Sequence, residues 1–241
     1  VPAYEQSSDQ EVAFQAVDYI LRVLKKNMVF GMTWGRAMHE FVEQLAKDER
    51  LRSLSFQNVK VVPFLGTPGA IQSDSWNTTT YSNTLATKVG NLLHCASYNL
   101  SAPMYVEGTK EKELIESIDE IAKVLHMAET ADIALIGIGS MQDDSSIIKA
   151  EIRTKEEYKE LVRKGAVGEI VGRIYDKNGQ TVDEDLKRKM VGISLDKIAK
   201  IPVRVGMSYG KDKIEAIKGA IAGGLVNVLV TDVPTAELLL K

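Results

Sequence analysis

Lys213 follows Gly210 by three residues in VRVGMSYGKDKIEAIKGAIAGG (203–224). Val203–Ser208 reads there as a strand, Gly210 as a turn, and Ile214, Ile217 and Ile221 as the apolar face of a helix at spacings of three and four. A helix start carries unpaired backbone N–H groups and a partial positive charge, so an ammonium group beside it favours an anion, and phosphate is the expected one. FGMTWGRAM (30–38) repeats the plan: Gly35 permits a tight turn, while Thr33 and Arg36 bring a hydroxyl and a fork of N–H donors to a strand-to-helix junction. Trp34, in the same turn, is read first as packing. Gly66 and Gly69 in GTPGA let backbone approach a ligand closely, and DIALIGIGS (132–140) ends in Gly137, Gly139 and Ser140. Asn83, near the start of a helix, and Glu169, beside Gly168, complete the polar candidates; a cap and a surface carboxylate are their simpler readings.

These junctions need strands to place them. MVFGMT (28–33), VKVVPFLG (59–66), SAPMYV (101–106), the apolar run 132–138, 203–208 and 226–230 read as strands. Helices are expected at 8–26, Arg36–Leu45, Tyr81–Ser97, 110–131, 154–164 and Thr235–Leu240, with Ser8 and Asp232 as caps and Pro234 in a first turn. Strands alternating with helices predict an α/β fold with a parallel sheet, and the Asn-Gly of YDKNG predicts a hairpin, a small antiparallel excursion, within 165–182. Residues 1–7 read as a frayed lead-in, and a chain opening on a helix without a clear beginning suggests truncation. The polar loop 71–80 is a candidate for ordering around a ligand.

With 241 residues, 44% hydrophobic and 26% charged, the chain can bury a core as one domain. A net charge of −3 gives no broad attraction to nucleic acid. No apolar run approaches the roughly 20 residues that span a bilayer. The single cysteine, Cys95, placed in a helical stretch, forms no internal disulfide, which fits a reducing, cytoplasmic setting. The three histidines lack metal-ligand spacing, so neither a metal nor a catalytic role is assigned. The glycines of GIGSM lack the third position of a dinucleotide fingerprint, so no nucleotide cofactor is expected.

Six segments in order, FGMTWGRAM, SNTLATKVG (82–90), DIALIGIGS, KGAVGEIVGRIYDKNG (164–179), GKDK with EAIKGAI, and VNVLVTDVPTAELLL (226–240), carry a resemblance from about residue 10 to the end. The chain resembles the C-terminal effector-binding domain of the SorC/DeoR-like bacterial transcriptional regulators. That resemblance implies a Rossmann-like sheet related to sugar-phosphate isomerases, deaminases and CoA-transferases. It implies one domain over 1–241 that binds a phosphorylated sugar, a DNA-binding helix-turn-helix outside this chain, and self-association as dimer or tetramer. It places Lys213 and the loop Thr33–Arg36 at phosphate, and Tyr81, Ser140 and Glu169 near the sugar. Ala37, where many relatives carry threonine, and the GTPG turn depart from the pattern. The alternative is an isomerase- or deaminase-type enzyme of the same fold, with Glu169 as base and Asp143 and Asp144 after the GIGSM turn; no carboxylate–histidine arrangement supports it.

Overall fold

The run over 132–138 shows why this chain builds a sheet covered on both faces. In the computed structural model, which describes residues 8–68, 78–143 and 145–241, Ile133 and Leu135 pack with Phe30, Met32, Val61 and Val205 on one face. Ala134 and Ile136 pack with Val62, Ile198 and Ile217 on the other. Period-two alternation within an unbroken apolar run is what a central parallel strand requires.

The elements in order are α1 (Ser8–Val23), β1 (Val29–Met32), α2 (Arg36–Leu45), β2 (Lys60–Pro63), α3 (Ser82–Leu92), β3 (Ala96–Ser97), α4 (Thr109–Glu116), α5 (Asp119–Glu129) and β4 (Ile133–Gly137). Then come β5 (Gly139–Ser140), α6 (Ser146–Lys149), α7 (Lys155–Arg163), β6 (Ala166–Ile170), β7 (Arg173–Asp176), α8 (Glu184–Lys189), α9 (Leu195–Ile198), β8 (Val203–Met207), α10 (Ile214–Ala222), β9 (Val228–Val230) and α11 (Val233–Leu239). The main sheet is parallel, in the order β3-β2-β1-β4-β8-β9; β5, β6 and β7 form a separate antiparallel sheet. The α/β fold with a small antiparallel excursion is therefore as expected. Residues 69–77, which include Gly69 and most of the loop 71–80, and Asp144 and 1–7 lie outside the described residues, as does the side chain of Ser8.

Three expectations are corrected, and a fourth is extended. Residues 101–106 do not form a strand: Pro103 has no N–H to give a ladder, and the segment makes only isolated bridges, Thr67 with Pro103 and Tyr105 with Met190. The helix from Tyr81 stops at Leu92, where His94 takes the left-handed φ of 51° and the Cys95 N–H turns back to the Gly90 carbonyl, so Ala96–Ser97 becomes the edge strand. Cys95 thus lies beyond the helix, and burial pushes its thiol up to about 11. The helix over 110–131 is two helices, because the Ser117 hydroxyl donates to the Leu114 carbonyl and Ile118 is extended. The antiparallel excursion holds two reversals: the expected one at Asn178–Gly179, where the Asp176 carboxylate accepts from the Asn178 and Gln180 N–H groups, Tyr175 bridges Thr181 and the Val182 N–H donates to the Ile174 carbonyl, and an unexpected one at Val171–Gly172, between β6 and β7.

The capping box Thr154/Glu157 starts α7, and Asp232 caps α11 by accepting from the Thr235 N–H at 2.9 Å. Asp232 is buried, so Asp232→Ala is expected to cost about 1–2 kcal/mol. Thermal unfolding should show a fall of roughly 2–8 °C; an unchanged midpoint would remove the cap from the account of this end.

Candidate functional site

The sheet order reverses between β1 and β4, so the connections leaving their carboxyl ends diverge and open a crevice, the position where open parallel sheets bind ligands. A cavity of about 630 Å³ occupies it. Trp34, Gly35 and Arg36 line it from the β1–α2 junction, Gly137 from the end of β4, Gly139 from β5, Glu169 from β6, and Lys213 from the start of α10.

Lys213 is held in place. Its Nζ donates to Ser140 Oγ at 3.0 Å, Ser140 Oγ donates to Asp212 Oδ2 at 3.1 Å, and Lys213 Nζ stands 3.7 Å from the same carboxylate oxygen. Lys213 is a quarter exposed, enough for a ligand oxygen to reach it. The same cavity is lined by Gly35, where α2 begins and whose φ of 107° only glycine adopts readily; Gly35 brings no side-chain cap, and no acid lies in the first turn of the helix. Helix N–H groups and two cationic side chains therefore meet in one cavity, an arrangement suited to an anion.

Glu169 lines the cavity from the strand beside Ser140, near enough for the Lys213 charge to act on its carboxyl. It is buried; its Oε1 accepts from the Gly172 N–H, and the Trp34 side chain hydrogen-bonds to it. Burial raises its carboxyl above the ordinary glutamate range, opposed by those two hydrogen bonds and by the Lys213 charge. A raised folded-state value means the protonated form is favoured on folding, so this contribution to stability is full below the unfolded-state value and is lost as pH rises through the folded one. Glu169→Gln is accordingly expected to flatten the fall of stability that begins above about pH 4.3. Urea unfolding of both proteins across that range checks this; parallel curves would contradict it.

The other candidates stand elsewhere, with structural duties. Thr33 is fully buried, its Oγ1 accepting from the Gly137 N–H at 3.0 Å, so it ties β1 to β4 and does not line the cavity. Asn83 is spent on Thr67 Oγ1 at 2.7 Å, the Leu100 carbonyl at 3.0 Å and the Leu100 N–H at 2.9 Å. Gly66 is pressed against the carbonyls of Ala102 and Pro103. Gly210, at φ 103°, donates to Thr235 Oγ1 and shapes the turn, while Ser140 orients Lys213 from behind. Tyr81 precedes α3 and is also outside the lining.

Several lining residues escaped the sequence reading. Thr80, Ser208, Tyr209 and Asp212 line the cavity, as do His39, which was given no role, and Asp9 from α1. Burial and the Asp9 carboxylate both raise the Tyr209 phenol. Ser208, Tyr209 and Asp212 sit in the junction already singled out and were legible by position; Asp9 carries no local signal, because only the packing of α1 brings it near.

Fold and cavity define an α/β ligand-binding domain with its site at the switch point of a parallel sheet. Residues 1–241 match the Sugar-bind family of sugar-binding domains, and the chain belongs to that family, the sugar-binding domain of SorC-family transcriptional regulators. It is 30% identical to the sorbitol operon regulator of Klebsiella pneumoniae over 91% of this chain and 67% of that protein. It is 30% identical to the transcriptional regulator LsrR of Escherichia coli over 94% and 67%. The crystal structure of the full-length Klebsiella regulator superposes with a TM-score of 0.88 at 27% identity, covering 100% of this chain and 75% of that one. Among the described residues, no helix is long and apolar enough to cross a membrane, and no cluster of three or more His, Cys, Asp or Glu could hold a metal.

Proposed function

We propose that the cavity is the effector site of a transcriptional regulator and that the effector is a phosphorylated sugar. The observation that carries this is Lys213, lining the cavity at the start of α10 together with Gly35 and Arg36 at the start of α2. The carboxylates on the walls, Glu169, Asp212, Asp9 and Glu40, suit hydroxyl groups, so a polyhydroxylated body with one anionic end fits the distribution better than a polyanion. The family and the names of its relatives, one of them a sorbitol operon regulator, agree with a sugar. The domain is read as non-catalytic: Glu169 is the buried carboxylate of the site, and its Oε1 is already tied to Gly172.

On this reading, binding changes the relative stability of two arrangements of the domain, and only a difference in affinity between them moves a helix-turn-helix outside this chain on or off DNA. The regulator acts in the cytoplasm as a homo-oligomer, dimer or tetramer.

Thermal unfolding against matched phosphorylated and unphosphorylated sugars is the test. A ligand at about 100 times its Kd adds about 2.7 kcal/mol, or roughly 5–10 °C for a chain of this size. Stabilisation by one phosphorylated sugar and not by its unphosphorylated form is the expected result. If no phosphorylated compound moves the midpoint, the reading is wrong.

A further inference from the structure

Immediately beyond β6, which brings Glu169 to the cavity, the chain makes a strained turn. Val171, at φ 54°, and Gly172, at φ 69°, both adopt left-handed conformations between β6 and β7, and Val171 is buried. A β-branched residue is seldom found there and persists only where its surroundings enforce it. One enforcing contact is the bond from the Gly172 N–H to Glu169 Oε1, and Glu169 is part of the cavity wall. The carboxylate that a ligand would meet is thus the one that holds the turn.

On the far side of the turn, Arg173 is buried. Its Nη2 donates to the carbonyls of Met190 at 3.2 Å and Gly192 at 3.0 Å, while Nε and Nη1 have no hydrogen-bond partner among the described residues. A buried guanidinium with two idle nitrogens is costly and has spare donors for a second arrangement. The segment it grips is a strap between two parts of the fold: the Ile193 N–H donates to the Phe64 carbonyl, the Gly66 N–H to the Val191 carbonyl, and the Val191 N–H to the Met104 carbonyl. The strap continues to α4: the Val106 N–H donates to the Lys189 carbonyl and Lys112 Nζ to the Lys187 carbonyl. Glu116, one turn from Lys112 and paired with it at 3.7 Å, attracts the Arg173 charge. These contacts form a continuous chain from the cavity to α4, whose Leu114 is 70% exposed.

We propose that the Val171–Gly172 turn is a switch that reports the state of Glu169 to α4 through Arg173 and the 187–193 strap. When a ligand engages Glu169, the bond to Gly172 weakens, the turn relaxes, and Arg173 shifts its hold on the strap. The proposal rests on the cavity being a ligand site, but its mechanical part is testable without a ligand.

Hydrogen exchange by mass spectrometry on this chain is the experiment. Glu169→Ala, which removes the acceptor, is expected to speed exchange in α4 and in 104–106 by on the order of tenfold, while α2 stays unchanged. Glu169→Gln, which keeps the shape, guards against a variant that fails to fold and is expected to act in the same direction more weakly. Arg173→Met combined with Glu169→Gln should cancel the effect of Glu169→Gln on α4, which general loosening would not do. Unchanged exchange in α4 with both Glu169 variants, or equal acceleration in α2 and α4, overturns the switch. In a second arm, glucose 6-phosphate is added to the wild type at millimolar concentration. A change in α4 that Arg173→Met abolishes supports the proposal. Protection of the cavity segments without any change in α4 overturns it and leaves the ligand reading standing. Failure of the ligand reading alone would appear as a silent second arm beside a positive first one.

Discussion

Lys213→Ala is expected to lower affinity for the proposed effector, a phosphorylated sugar, about 10- to 100-fold while leaving the fold intact. The lost interaction is a charge-assisted hydrogen bond to a desolvated anion, about 1.5–3 kcal/mol. The fold loses little, because Asp212, the carboxylate left behind, is half exposed and can be solvated, and pairs of that kind contribute at most about 1 kcal/mol. Lys213→Arg is not expected to restore binding fully: a planar guanidinium replaces a compact ammonium that Ser140 positions at 3.0 Å. Titration calorimetry with the sugar phosphate found by thermal unfolding checks both variants. Unchanged affinity in Lys213→Ala would move the anion site to the Arg36 end of the cavity.

Gly66→Ala is expected to act in the opposite way, damaging the fold and sparing the site. A methyl group there would stand 2.6 Å from the Ala102 carbonyl oxygen and 2.7 Å from that of Pro103. Neither can yield cheaply, since the Thr67 N–H donates to the Ala102 carbonyl and the Met104 N–H to the Thr67 carbonyl. Overpacking against fixed backbone costs about 1–3 kcal/mol, a fall in the midpoint of roughly 2–12 °C. Affinity measured on the folded fraction should be nearly unchanged. The reverse pattern, weakened binding at an unchanged midpoint, would return Gly66 to the ligand contacts from which its surroundings remove it.

Glycine turns at strand ends were visible in the sequence, but not which of them face a ligand. Gly35 and Gly66 look alike on paper; one opens α2 into the cavity and the other lets two backbone segments pass. Thr33 and Arg36 stand three residues apart in one motif, yet one faces Gly137 in the interior and the other the cavity. Asn83 shows the same limit, since its partners at Thr67 and Leu100 lie 16 and 17 residues away.

By itself the sequence determined the alternation of strand and helix, the parallel sheet, and the placing of Arg36 and Lys213 at helix starts. Those features follow from local periodicity, capping chemistry and the restricted geometry of glycine, all written in neighbouring residues. Only the tertiary structure decided that the switch point falls between β1 and β4, that Glu169 closes the cavity, and that Asp9 reaches it from the first helix. It also decided that the chain reverses a first time at a buried valine, ahead of the Asn-Gly turn that the sequence showed. These outcomes depend on packing between residues far apart in the chain, where burial overrides local preference. No local pattern records which face of a turn a later strand will cover.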